Sequence, residues 1–253
     1  MNTKAPFPIR YFSGIPIHAS TMSQTLDWME TCIQDHHPRF LCTLNAALLV
    51  WAHKDPFLLQ TYKNADLAVC DSTIFYYALK LLKTPVPEPL EAWKIMRSFI
   101  EKNYSKKYRF YFLGAKPDIL EKALNNLRRD YSGIVIAGWQ HGYFSANEEE
   151  KIAASIRDAR PDCLFVAMSS PMKERFLKKY QAFMNVPLSL GVGGGIDILA
   201  GVFKPAPNWM HTLGLAWFFR LLMEPKRMWK RYLVTNTRFM GMVFKALLKR
   251  SPA

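Results

Sequence analysis

The sequence predicts an α/β fold, a doubly wound, mainly parallel, Rossmann-like sheet. Three observations carry that expectation. Six short apolar runs alternate with helical patterns between residues 40 and 200. Glycine or a small polar residue directly follows most of the runs, as at the ligand-binding ends of wound sheets. The chain of 253 residues, half of them hydrophobic, is long enough to bury a full core.

The elements follow in order. Residues 20–34 form a first helix, with Ser20 or Thr21 as cap and Leu26, Met29 and Ile33 on one face. Residues 40–43 are a strand and 45–52 a helix rich in Ala and Leu. Residues 65–70 are a second strand, ending at Asp71-Ser72-Thr73 before a helix over 74–83. Three prolines stiffen the connection 84–89, and a helix follows over 91–101. Residues 108–113 are a strand closed by Gly114, and Pro117 opens a helix to Arg129. A strand over 133–137 leads into the loop 138–144. Asn147, with Glu150 in capping-box position, starts a helix to Ala159. Strand 162–167 and helix 171–183 come next. Strand 188–192 then runs into Gly193, Gly194 and Gly195, and a helix starts at Ile196.

That last stretch has two readings. Strand, glycine turn and helix present backbone N–H groups to a phosphate, and glycines remove the Cβ atoms that would hold a ligand away. The turn matches neither Gly-x-Gly-x-x-Gly nor a Walker loop, so it is equally a tight β-to-α turn.

Composition narrows the classes. Cys32, Cys42, Cys70 and Cys163 are scattered, which points to a reducing compartment and away from a disulfide or zinc framework. The six histidines form no metal-binding spacing, so no metal and no cofactor are expected. Residues 1–9 lack a signal-peptide core. The longest uncharged stretch near the end, residues 205–219, is 15 residues and broken by Pro207, Asn208 and His211, too short to span a bilayer.

The net charge of +14 is uneven: residues 204–253 carry +9 and the rest +5. A catalytic α/β domain over 1–203 and a basic, aromatic, helical appendage over 204–253 are therefore expected. The appendage reads as two helices, 208–223 and 224–249, broken at Glu224-Pro225. Trp209, Trp217, Phe218, Phe219, Trp229, Phe239 and Phe244 interleave with its bases. Such helices lie well in a membrane interface; alternatively the aromatics pack on the core and the bases are a solvated face. The charge alone would also suit nucleic acid, but no nucleic-acid motif supports that partner.

In a wound sheet the residues just past each strand are the site candidates. Here they are Thr43, Asn45, Asp71, Ser72, Gly114, Gly142, Ser169, Ser170, Gly193, Gly194, Gly195 and Asp197. Asp71 suits a general base that takes a proton from a sugar hydroxyl. It equally suits a helix cap before Ile74, and residue preference favours the cap. Arg220, Lys226, Arg227, Lys230 and Arg231 suit a diphosphate, or a solvated helix face.

Taken together, the residues resemble a family. The ordered series is Thr43-x-Asn45, Ala65-Asp66 with Asp71, Phe112-Leu-Gly114, His141-Gly-Tyr-Phe144 and Pro171-x-x-Glu174. It continues with Gly191-Val-Gly-Gly-x-x-Asp197-x-x-Ala200-Gly201, Ala206-Pro207, Gly214-Leu-x-Trp217-x-x-Arg220 and Glu224-Pro-x-Arg227. This series resembles the WecG/TagA/CpsF glycosyltransferases from about residue 40 to 232. The resemblance implies a bacterial enzyme of exopolysaccharide, capsule, O-antigen or teichoic acid assembly. Such an enzyme moves a sugar, with inversion and without a metal, from a UDP-sugar to a polyprenyl-diphosphate-linked acceptor. It implies a peripheral protein at the cytoplasmic face of the membrane, held there by the appendage; oligomerisation is left open. It places the base on Asp71, the Thr-x-Asn pair on Thr43 and Asn45, and the glycine loop on Gly193, Gly194 and Gly195. The appendage arginines fall on Arg220, Arg227 and, as lysine, Lys230.

The chain departs from the family pattern at Ser72 (usually Gly), Pro89 (Arg), Lys94 (acid), Lys173 (Gln) and Ala216 (Glu). Lys173 is a candidate to restore the charge missing at Pro89. The alternative reading is a catalytically silent member that binds nucleotide or lipid diphosphate and scaffolds other assembly enzymes.

Overall fold

The computed structural model describes residues 5–248, apart from the side chains of Asn208 and Arg227. The chain opens with a hairpin not anticipated from the sequence, β1 (Ile9–Phe12) and β2 (Ile15–His18). Its turn residues, Ser13 and Gly14, have φ of 50° and 78°. Positive φ at both positions is the turn geometry that matches strand twist.

The helices and strands expected next are present, with ends displaced by at most three residues. They are α1 (Met22–Asp35), β3 (Arg39–Leu44) and α2 (Ala46–Ala52). An additional helix, α3 (Pro56–Lys63), is capped by Asp55, whose carboxylate accepts from the Phe57 and Leu58 N–H groups. Then come β4 (Leu67–Cys70), α4 (Thr73–Leu81), α5 (Ala92–Asn103), β5 (Arg109–Gly114) and α6 (Pro117–Asp130).

Next are β6 (Val135–Gln140) and α7 (Glu149–Ala159). The capping box before α7 is Ser145 with Glu148, not Asn147 with Glu150. The Ser145 N–H and hydroxyl both donate to Glu148 Oε2 at 2.8 Å, and a 3-10 turn intervenes. The series closes with β7 (Cys163–Ala167), α8 (Met172–Met184), β8 (Leu188–Gly191) and α9 (Gly195–Leu199). Past Gly201 the helix expected over 208–223 is two, α10 (Asn208–Thr212) and α11 (Ala216–Met223), broken where Gly214 turns at φ 73°. The last helix is α12 (Pro225–Leu248). Among the described residues no helix is long and apolar enough to cross a membrane.

Six strands form the expected wound sheet, in the order β4-β3-β8-β7-β5-β6. The pairings β3 with β8, β8 with β7, β7 with β5 and β5 with β6 are all parallel. Strands buried this way read as unbroken apolar runs, which is why they were visible in the sequence.

The chain divides into two compact units. One is made of the segment up to Thr21, Thr43–Glu91 and the segment from Pro205; the other is Met22–Cys42 with Ala92–Lys204. In the first, β2 lies beside β4, and the Ala68 N–H donates to His18 Nδ1 at 3.0 Å. Helix α12 packs on α2. Phe239 of α12 meets Phe12 and Phe75 with ring centroids 5.6 and 5.9 Å away, and all three rings are buried. In the second unit, Phe165 of β7 stacks on Phe110 at 5.9 Å and tilts against Phe112 at 5.5 Å. Helices α1 and α5 pack on β8, and α7 packs on α8.

Phe239 therefore ties the C-terminal helix into a core. Phe239→Ala is expected to lower unfolding free energy by about 3–5 kcal/mol, as truncations of buried aromatics do, read from chemical denaturation.

Candidate functional site

In the first unit the candidates gather where β3 and β4 end. Thr43 is buried one residue before the end of β3. Asn45 is the N-cap of α2: its Oδ1 accepts from the Leu48 N–H at 3.2 Å. Six of the seven residues of α2 are buried, so the cap sits on a fixed element. Past β4, the Asp71 N–H donates to the Leu44 carbonyl at 2.8 Å, and the Leu90 N–H donates to the Cys70 carbonyl at 2.6 Å. The backbone at Asp71 is thus pinned on both sides.

The cap expected of Asp71 is not formed. Helix α4 begins at Thr73 with Ser72 in the cap position, so Asp71 stands outside the helix. Its carboxylate instead receives Asn45 Nδ2 at Oδ2, 3.3 Å away. Ser72 makes no side-chain cap bond, and its hydroxyl is buried without a hydrogen-bond partner. An unpaired buried hydroxyl costs about 1–3 kcal/mol. Burial, with Asp71 adding negative charge beside it, pushes the Cys70 thiol well up; the thiol stays protonated and is no nucleophile.

The same unit holds the C-terminal bases. Arg220 Nε lies 2.9 Å from Glu224 Oε2 one helical turn on. Lys230 Nζ lies 5.4 Å from the centre of the Trp229 ring, and the Arg231 guanidinium 4.9 Å from that of Trp51. The side chain of Arg227 lies outside the described residues. Helix α10 is anchored twice: the Tyr77 hydroxyl donates to the Thr212 carbonyl, and His211 Nδ1 lies 3.0 Å from Glu91 Oε1.

In the second unit the candidates follow β5, β6, β7 and β8. Gly114 ends β5 at φ 125°, where an added Cβ would fall 2.4 Å from the Ala167 carbonyl oxygen. Gly142 packs against it, with Cβ room closed by Gly114 Cα at 3.0 Å. The hydroxyl of exposed Ser169 contacts Met172 Sδ at 3.6 Å.

Beyond Ser169 lies a buried polar cluster not singled out in the sequence. Lys173 Nζ is 2.7 Å from Glu174 Oε1 and donates to Ser170 Oγ at 2.5 Å, while Ser170 Oγ donates to Glu174 Oε1 at 2.7 Å. Lys173 and Glu174 are both buried, a placement an ammonium and a carboxylate tolerate only when paired. The charge of Lys173 is therefore matched by Glu174. Its stem runs over Gly191, whose added Cβ would meet Lys173 Cε at 2.7 Å. The sequence signal was the spacing of Ser170, Lys173 and Glu174 around the start of α8, one helical turn apart.

The three glycines after β8 have different reasons to be glycine. Gly193 has φ 51° and open space around its missing Cβ. Gly195 is packed, with Met96 Cε 3.0 Å from its Cβ position, and its N–H donates back to the Val192 carbonyl. Among the described residues the N–H groups of Gly193 and Gly194 donate to no backbone carbonyl. Helix α9 is five residues long, with Asp197 in its first turn. Among the described residues no three His, Cys, Asp or Glu side chains are placed to hold a metal ion.

Comparison with known proteins agrees with the resemblance. The Glycosyl transferase WecG/TagA/CpsF family matches residues 10–253, and the chain belongs to that family. It is 28% identical over 221 residues to the N-acetylglucosaminyldiphosphoundecaprenol N-acetyl-beta-D-mannosaminyltransferase of Bacillus subtilis, covering 87% of this chain and 85% of that one. The enzyme of the same name from Bacillus spizizenii is 29% identical over 215 residues, covering 85% and 82%. That from Staphylococcus aureus MW2 is 27% identical over 216 residues, covering 85% and 84%.

The glycine geometries separate structural from site positions. Gly114→Ala, at a forbidden φ and against backbone, is expected to cost several kcal/mol of stability. Gly193→Ala, at a left-handed φ with open space, is expected to cost only about 1 kcal/mol. Thermal unfolding of both variants checks the contrast.

Proposed function

We propose that this chain transfers a hexosyl or N-acetylhexosaminyl group, with inversion, from a UDP-sugar to a polyprenyl-diphosphate-linked saccharide. The observation that carries this reading is the carboxylate of Asp71, held past the end of β4 by Asn45 and outside the helix that follows. Family membership and the relatives' names support the acceptor class.

In the proposed reaction the Asp71 carboxylate takes the proton of the acceptor hydroxyl as that oxygen attacks the anomeric carbon. The bond from that carbon to the UDP oxygen breaks, and UDP leaves with the electron pair. We assign Thr43 and Ser72 to polar groups of the substrate, Ser72 because its buried hydroxyl lacks a partner. We assign phosphate binding to the N–H groups of Gly193 and Gly194, and to Arg220, Arg227 and Lys230 the positive charge that would steady the departing group. Gly114, Gly142, Ser169, Lys173 and Asp197 are assigned to the donor, with Lys173 and Ser72 shaping which sugar is accepted.

The protein is proposed to meet its lipid acceptor as a peripheral protein on the cytoplasmic face, through residues 204–253. Trp229, Leu233, Met240, Phe244 and Leu248 are exposed on α12 at helical spacing, on a different stripe from the buried Met228, Thr235, Phe239 and Val243. Exposed Lys230, Arg231, Arg238 and Lys245 share the helix, the composition that suits an anionic interface.

Two measurements test this. Asp71→Ala is expected to fold normally and lose at least about a hundredfold in transfer of sugar from a UDP-sugar panel to a short polyprenyl-diphosphate acceptor. Undiminished transfer would remove Asp71 as the base; no transfer by the parent protein with any donor would favour the scaffolding reading. Since α12 contributes Phe239 to a core, the membrane reading is tested by substitution rather than truncation. Trp229→Ser with Leu233→Ser and Phe244→Ser is expected to weaken binding to anionic phospholipid vesicles about tenfold or more while unfolding unchanged. Unaltered vesicle binding would contradict it.

A further inference from the structure

We propose that Asn45 is a positioning residue that sets the direction of the Asp71 carboxylate, an inference that rests on the reading of Asp71 as base. The amide of Asn45 is used at both ends. Its Oδ1 accepts from the Leu48 N–H at 3.2 Å, so the nitrogen end faces the other way, and Nδ2 donates to Asp71 Oδ2 at 3.3 Å. The helix cap thus decides which end of the amide Asp71 meets: a flip would put oxygen against carboxylate and leave the Leu48 N–H unpaired.

The support beneath the amide is fixed. Helix α2 is buried along nearly its whole length, and it starts immediately after β3. Asp71 is tied to that same strand end, since its N–H donates to the Leu44 carbonyl at 2.8 Å. Amide and carboxylate therefore hang from adjacent points, Leu44 and Asn45. Asp71 Oδ2 receives the amide, which restrains the carboxylate against turning about its bond to Cβ. A base held in one orientation is worth more than a freely turning one, because proton transfer needs hydrogen-bond geometry at the moment of attack.

The cap and the orienting bond can be separated. Asn45→Asp keeps a side-chain oxygen for the Leu48 N–H, Asp being as good a cap as Asn, but it has no donor for Asp71. Asn45→Ser also keeps a cap, without adding charge. For a positioning role, both variants are expected to lose about tenfold or more in kcat, with KM for donor and acceptor within about twofold and the thermal midpoint nearly unchanged. Unchanged kcat in both variants would overturn the inference, leaving Asn45 a cap only. A loss carried by KM at unchanged kcat would also overturn it, marking Asn45 as a direct ligand contact. Asp71→Asn, measured in parallel, keeps the two claims apart. If it retains turnover, the base reading itself fails; if it is inactive while Asn45→Asp keeps full kcat, only the positioning role fails.

Discussion

The side-chain amide of Asn45 links the two strand ends on which this account turns. A single group closes the first turn of α2 and reaches the carboxylate beyond β4. Each bond alone is ordinary, worth about 1 kcal/mol net. Their coupling is what matters, since the oxygen that caps the helix forces the nitrogen toward Asp71. The geometry also explains why Asp71 does not serve as a cap. Ser72 occupies that position, and the Asp71 backbone is drawn to Leu44 instead.

The second unit handles charge differently. Its buried ammonium, Lys173, comes with its own counter-charge in Glu174, and Ser170 bridges the two. Such a neutral cluster is stable in a dry setting where a lone cation would not be. It shapes the ground beside β8, because the Lys173 stem occupies the space that Gly191 leaves open. Among the C-terminal bases, Arg220 likewise shares a carboxylate, that of Glu224.

Much of the fold was legible. Continuous apolar runs, each ending at glycine or a small polar residue, mark parallel strands, and all six were placed. The hairpin at Ile9–Phe12 and Ile15–His18 was missed although Ser13-Gly14 between two apolar stretches is a turn signal. Helix α3 was missed although Asp55-Pro56 is a cap followed by proline. The long helix expected over 208–223 overlooked Gly214. The candidate site could be written as a set of positions, since topology places ligand groups just past strands. It was not legible as a set of contacts. Asp71 is kept out of the cap position while its backbone is tied to the Leu44 carbonyl and its carboxylate to the Asn45 amide, and the Lys173 stem lies over Gly191. Those are tertiary facts that no local spacing encodes.

One carboxylate base is proposed to drive a single displacement at the anomeric carbon. The stereochemistry of the new bond tests it most directly. With an α-linked UDP-sugar as donor, proton coupling at the anomeric centre of the product reports which face was attacked. The account predicts a β-linked product; an α-linked product would mean retention, and a mechanism in which Asp71 is not simply the base.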